Sequence, residues 1–141
     1  MTTTFPGVVP YLYYADATAA VDFLVRAFGF EEHDVTRDPD GIVWTAQLRT
    51  GPHSGAALVM VGPAMPEFGS RAVQDPAWAS ARVHVLVPDI AGHHQRAVAH
   101  GATIHTEPTR GFSEMPLYVA TDIGGHQWIF AEAPRESAPC L

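Results

Sequence analysis

Two side chains suited to chemistry, Arg82 and His84, stand two positions apart in the apolar segment RVHVLV. Side chains alternate along a strand, so we expect both groups to face the same space. Imidazole is a common general base near neutral pH, and a guanidinium pairs with carboxylates or phosphates. Two alternatives stay open: a hydrogen-bonded core histidine, and a salt bridge from Arg82 to an acid of the loop or of a second subunit.

The same alternation predicts which residues of other strands share this face. Strands are expected at about residues 8–15, 30–37, 42–49, 56–61, 81–88, 102–107, 114–121 and 126–132. The predicted ligand-binding face is mostly apolar with a few polar groups, as small-molecule sites are, and comprises Tyr11, Tyr13, Thr45, Gln47, Val59, Arg82, His84, Gln127 and Ile129. The opposite strand faces are predicted to form the core beneath helices, with Trp44, Leu48, Leu58, Met60, Trp128 and Phe130.

The other histidines offer no comparable pattern. His93 and His94 are adjacent on a predicted helix, so their side chains point apart, and His100 lies two turns beyond His93. We therefore predict that His93 and His100 lie on a solvated helix face. His126 follows a turn and is predicted to face outward.

A repeat supplies the elements that position these residues. A strand ending in Asp16, a helix and Gly29 recur as a strand ending in Asp89, a helix and Gly101. Aspartate is a favoured helix N-cap, and glycine commonly ends a helix. The repeat predicts one domain of two modules, at about 6–62 and 80–133, with a connection over 63–79 and a loose tail over 134–141.

Composition restricts the function classes. The 141 residues carry a net charge of -7, with 8 basic side chains against 15 acidic ones, so nucleic acid is an unexpected partner. The single cysteine, Cys140, permits no internal disulfide. No segment reads as a signal peptide or a membrane span. We expect a cytoplasmic protein that does not engage membranes.

The order of these elements resembles the vicinal oxygen chelate superfamily, in particular its glyoxalase and bleomycin-resistance group. The segments PYLYYADATAAVDFLVRAFGFEE and YVATDIGGHQWIFAE carry the resemblance most specifically. In the second, Ile123 and Gly124 replace the proline and acid usual in the family's closing turn. The resemblance implies an α+β fold of two βαβββ modules, whose curled mixed sheet encloses a cleft with helices outside. It also implies a homodimer.

The resemblance also implies where a metal would bind. Metal-dependent relatives place a histidine seven residues before the strand-ending aspartate of each module, and a carboxylate or similar ligand in each last strand. Those positions are Val9, Arg82, Val59 and Ile129 here. Three lack donor atoms and the fourth is cationic, so we predict no metal in the usual place and no cofactor.

Three functions follow as expectations. The first is metal-independent binding of a small molecule in the cleft, such as sequestration of a drug or metabolite. The second is a lyase, isomerase or dioxygenase of the same superfamily, either metal-dependent or using His84 as base with Tyr11 or Tyr13 as proton donor. The third is an interaction domain with a vestigial pocket.

Overall fold

The structure is a computed structural model that describes residues 7–110 and 115–133. In chain order its elements are β1 (Tyr11–Tyr14), α1 (Ala17–Phe28), β2 (Glu31–Arg37), β3 (Val43–Arg49), β4 (Leu58–Pro63), a short 3-10 helix (Pro66–Phe68), β5 (Val83–Val87), α2 (Ile90–Ala99), β6 (Thr103–Thr109), β7 (Leu117–Thr121) and β8 (Gln127–Glu132). The predicted tail over 134–141, which includes Cys140, lies outside the described residues. So do residue 6, where the first module is predicted to begin, and residue 114, where the seventh strand is predicted to begin.

The two modules have the same topology. One sheet has the order β1-β4-β3-β2 and the other β5-β8-β7-β6. In each sheet the first strand pairs in parallel with the fourth, and the remaining pairs are antiparallel. The predicted α+β fold of two βαβββ modules with mixed sheets is confirmed.

Both helices begin as the repeat predicts. The Asp16 carboxylate accepts a hydrogen bond from the Ala19 amide at 3.0 Å, and Asp89 does the same for Gly92 at 3.2 Å. Gly29 ends α1 with a φ of 71°, in the left-handed region that favours glycine. The signals that define each helix are therefore local in the sequence.

A single buried cluster draws on both modules. Phe28, at the end of α1, packs edge-on against Phe130 and Trp128 of β8, with ring centroids 4.7 and 5.8 Å apart. The predicted core residues Leu48, Trp128 and Phe130 are fully buried. Aromatic burial of this extent stabilises the contact between the modules as well as each sheet.

Trp44 does not join this core, and its predicted burial is wrong. The adjacent residues Thr36 and Arg37 of β2 pair with Thr45 and Val43 of β3, which are two positions apart. Trp44 between them has no partner and is the extra residue of a β-bulge. The bulge breaks the alternation. Val43 is consequently buried, whereas Trp44 is 57% exposed.

The faces of β4 are also the reverse of the prediction. Val59 pairs with Leu48, and these cross-strand neighbours share the buried, helix-facing side of the sheet. Leu58 and Met60, predicted as core, lie half-buried on the other side. The prediction that Val59 shares a face with the tyrosines of β1 is therefore wrong.

Within the described residues, no helix is long and apolar enough to cross a bilayer.

Candidate functional site

The open face of the first sheet carries two stacked tyrosines. The rings of Tyr11 and Tyr13 on β1 lie 4.7 Å apart, with an angle of 19° between their planes. The Tyr11 hydroxyl lies 3.4 Å from the Thr45 hydroxyl of β3. Gln47 is two residues beyond Thr45 and pairs with Met60, which in turn pairs with Tyr11. Four predicted site residues thus share one face.

Gly62 on β4 makes room for this arrangement. A Cβ atom at this position would lie 2.6 Å from the Tyr11 hydroxyl oxygen and 3.0 Å from the nearest ring carbon. The Tyr11 ring therefore crosses β4 in close contact with the backbone. Only glycine permits that approach without a shift of the ring.

The second sheet presents the other predicted residues. Arg82 precedes β5, and His84 within the strand pairs with Ile129 of β8. Arg82, His84 and Leu86 are exposed, whereas Val85 and Val87, which alternate with them, are buried. The alternation predicted for this segment is thus observed.

Arg82 is held by an amide instead of an acid. Its Nε donates to the Gln127 side-chain oxygen at 2.8 Å, and the Gln127 nitrogen donates to the Pro76 carbonyl at 3.1 Å. Gln127 is only 3% exposed and has both ends of its amide bonded. Gln127 can therefore orient Arg82, but it has little free surface of its own for a ligand.

The structure brings some predicted residues together and leaves others apart. Val59 and His84 both line a cavity of about 260 Å³ between residues of the two modules. Among the described residues, no hydrogen bond links the Tyr11 and Thr45 face to the Arg82 and Gln127 group. Tyr11, Tyr13, Thr45 and Gln47 thus share one sheet face and Arg82, His84 and Ile129 another, whereas Val59 and Gln127 are buried.

His84 has no partner that would orient it as a base. It makes no hydrogen bond among residues 7–110 and 115–133, and its side chain is exposed. General bases in enzymes are usually held by a second group that fixes the tautomer. The arrangement offers His84 as a ligand contact more readily than as a catalyst.

The donor set does not fit the metal that the fold family implies. Val59 is in the core, Ile129 is apolar, and Arg82 is a cation engaged with Gln127. In the part of the chain that the structure describes, no three His, Cys, Asp or Glu side chains converge. A metal site of this kind needs at least three protein donors.

Asp122 is a polar centre that the sequence analysis left unassigned. Its buried carboxylate accepts from the Tyr14 hydroxyl at 2.5 Å, from the Trp128 indole at 2.9 Å, and from the amides of Gly124 and His126. Burial, with the Asp122 charge second, raises the pKa of Tyr14 well above its usual range. Tyr14 thus stays a neutral donor, and this centre joins β1 to the last turn.

His93 and His126 also differ from prediction, because both contact the other module. His93 is largely buried. Its Nε2 donates to the Phe28 carbonyl at 3.0 Å, and its Nδ1 lies 2.5 Å from the Tyr118 hydroxyl. The Nε2 of His126 donates to the Tyr13 carbonyl at 2.8 Å. Sequence spacing alone gives no signal of these long-range partners.

A larger cavity of about 750 Å³ is lined by none of the predicted site residues. Its lining combines Val73 and Pro76 of the connection with Thr103 and the turn at 121–125. It contains the backbone of the Asp122 turn but no cluster of reactive side chains.

With this geometry established, comparison with known proteins identifies the family. Residues 7–130 match the family described as Glyoxalase/Bleomycin resistance protein/Dioxygenase superfamily. The chain belongs to this superfamily, and the resemblance drawn from its motifs is confirmed.

Individual relatives agree with this assignment. The chain is 30% identical over 134 residues to the uncharacterized protein Rv0887c of Mycobacterium tuberculosis, covering 93% of this chain and 76% of that protein. The crystal structure of TioX from Micromonospora sp. ML1 is 30% identical, covers 94% of this chain and 100% of its own, and superposes with a TM-score of 0.67. The fosfomycin resistance protein FosX of Listeria monocytogenes, solved with Mn(II) and sulfate, is 14% identical, with a TM-score of 0.64 and coverage of 96% and 94%. FosX is similar in fold alone.

Proposed function

We propose that this protein binds a small organic molecule on its open sheet faces, without a metal ion at the positions used by metal-dependent relatives. The observation that carries the proposal is the stacked pair Tyr11 and Tyr13, with Thr45 and Gln47 on the same face. Aromatic rings beside a few polar groups are typical of small-molecule sites.

The tyrosine pair favours a flat ligand. Tyr11 is 39% exposed although it is held by the ring of Tyr13 and the close approach to Gly62. Because the ring is already ordered, stacking a ligand on it costs little further conformational entropy. Thr45 and Gln47 add hydrogen-bonding groups that fix the orientation of a bound molecule.

The proposed role is sequestration of such a molecule, for example a drug or metabolite, rather than its conversion. His84 lacks an orienting partner among the described residues, and the positions expected to hold metal ligands lack a donor set. The protein is further proposed to act in the cytoplasm as a homodimer, and sedimentation of the purified chain tests the dimer.

The test begins with a screen of planar aromatic compounds in the presence of EDTA, using the rise in melting temperature to detect binding. The strongest binder is then titrated into Tyr11→Ala and Tyr13→Ala by calorimetry. Each substitution is expected to weaken binding by about twofold to twelvefold, since an aromatic pair contributes about 0.5–1.5 kcal/mol.

Phe68→Ala is the matched control. Phe68 is an aromatic residue 80% exposed in the short 3-10 helix of the connection, which belongs to neither sheet. Its removal should leave affinity unchanged. Equal affinity of the wild type and both tyrosine variants would refute the proposed site.

A further inference from the structure

The guanidinium of Arg82 has unused hydrogen-bonding capacity on an open face. Its Nε donates to Gln127, which leaves the four N–H groups of the two terminal nitrogens. The ion pairs among the described residues involve Arg26, Arg37 and His94, and none involves Arg82. A salt bridge from Arg82 to an acid of its own chain is thus not observed within the described ranges.

Gln127 orients this guanidinium without cancelling its charge. A glutamate at the same position would form a salt bridge and neutralise Arg82, whereas the amide oxygen only accepts one hydrogen bond. The amide is itself fixed by the Pro76 carbonyl and is almost completely buried. Arg82 is therefore a positioned cation, and a planar fork of this kind matches the oxygen pair of a carboxylate.

The polarity of the face changes along β5. Arg82, His84 and Leu86 follow each other at every second residue, which spans about 13 Å at strand spacing. His84 and Leu86 line the cavity of about 260 Å³, whose other walls include Pro10, Ala57 and Leu58. One end of the face is cationic and the other is apolar with an adjoining cavity.

We propose that the open face of β5 binds an amphiphilic organic anion, with the anionic group on Arg82 and the apolar body over Leu86 and in the cavity beside His84. The inference rests on the proposed small-molecule function and adds the charge and polarity of the ligand. Gln127 is then a positioning residue for Arg82 instead of a ligand contact.

The experiment compares three probes that share one ring system and differ in charge: 2-naphthoate, 2-naphthamide and 2-naphthylmethylammonium. Their affinities for the full chain are measured by NMR titration with EDTA present. The naphthoate should bind about tenfold more tightly than the neutral amide, because hydrogen bonds to a charged group contribute about 1.5 kcal/mol or more. The ammonium compound should bind most weakly.

Three variants separate charge from geometry. Arg82→Gln should abolish the preference for naphthoate while naphthamide still binds as before. Arg82→Lys keeps the charge but loses the fork, so it should retain only part of the preference. Arg26→Gln is the control, because it removes the same charge from an exposed position on α1 that pairs with Asp22, and the preference should persist.

Failure of this inference is distinguishable from failure of the proposed function. If naphthoate and naphthamide bind the wild type equally well, or if Arg82→Gln keeps the preference, the anion site is refuted while small-molecule binding stands. If none of the three probes binds the wild type, the anion site is refuted, while the proposed function is decided separately by the compound screen and the two tyrosine variants.

Discussion

Acidification should destabilise the fold through His93. The residue is held between α1 and β7 in its neutral form, since the Phe28 carbonyl accepts from Nε2 and Nδ1 remains for the Tyr118 hydroxyl. Burial lowers the pKa of His93 from 6.5 to about 4, and the charges of Arg96 and His94 act in the same direction. The hydrogen bond to the Phe28 carbonyl raises the pKa, but by less than burial lowers it.

The sign and size of the effect follow from proton linkage. Between pH 6.5 and about 4 the unfolded chain protonates this histidine and the folded chain does not, so the free energy of unfolding falls as the pH falls. At about 1.4 kcal/mol per pKa unit, the shift from 6.5 to about 4 gives a total of at most about 3.5 kcal/mol. Most of it, about 2 kcal/mol, should already be lost at pH 5.

Urea unfolding at pH 7.5 and pH 5.0, followed by circular dichroism, measures this loss. Carboxylates also titrate toward pH 5, so the wild type is compared with His93→Gln, whose amide can still donate to the Phe28 carbonyl. The variant should be less stable at pH 7.5 but should lose about 2 kcal/mol less than the wild type on acidification.

His100→Gln is the control for this comparison. His100 is exposed at the end of α2, so its replacement should leave the pH dependence unchanged. If the wild type and His93→Gln lose the same stability between the two pH values, the assignment of His93 as a buried neutral residue is refuted.

Three further substitutions test close contacts in the fold and the site. Asp122→Ala leaves the buried donors of Tyr14 and Trp128 unpaired, and urea unfolding should show a loss of about 3 kcal/mol or more; a loss below 1 kcal/mol would contradict the role of this centre. Gly124→Ala places a Cβ atom against the buried Tyr14 ring, and its melting temperature should fall in line with an overpacking cost of about 1–3 kcal/mol; an unchanged melting temperature would argue against this contact. Gly62→Ala displaces the Tyr11 ring, so affinity for a planar aromatic probe should fall severalfold while the melting temperature changes little; unchanged affinity would count against the tyrosine face.

The fold follows from signals that are local in the sequence. Asp16 and Asp89 form the predicted caps, and the repeat of strand, cap, helix and glycine gives two modules of identical topology. A helix cap depends on residues three or four positions apart in the sequence. Contacts with residues distant along the chain therefore have little effect on where each helix begins.

The face assignments depend on pairing, and there the sequence is less informative. The segment of β4 is apolar at nearly every position, so alternation cannot show which of its residues face the core. Only its register with β3 places Val59 there. The bulge at Trp44 likewise depends on β2. His93 and His126 bind carbonyls 65 and 113 positions away along the chain, which no local spacing indicates.

For the candidate site, alternation along a strand predicted the shared faces of β1 and β5, whereas β4 and the bulge in β3 departed from it. Tyr11 with Tyr13, and Arg82 with His84, share faces as expected. What the sequence could not supply was the partner of Arg82, since the choice between an acid and the Gln127 amide depends on how β8 lies beside β5. The ligand-binding role of these residues stays a prediction.

The central claim, that this chain binds its ligand without a metal at the family's usual positions, is tested most directly by metal analysis of untagged protein. Mass spectrometry gives the metal content as purified, and thermal unfolding is then followed with EDTA and with added Zn²⁺, Ni²⁺, Mn²⁺ and Fe²⁺. We predict substoichiometric metal and no change in melting temperature, because a metal bound to the folded state would raise it. A stoichiometric metal, or a melting temperature that falls with EDTA and returns with one of these ions, would contradict the account.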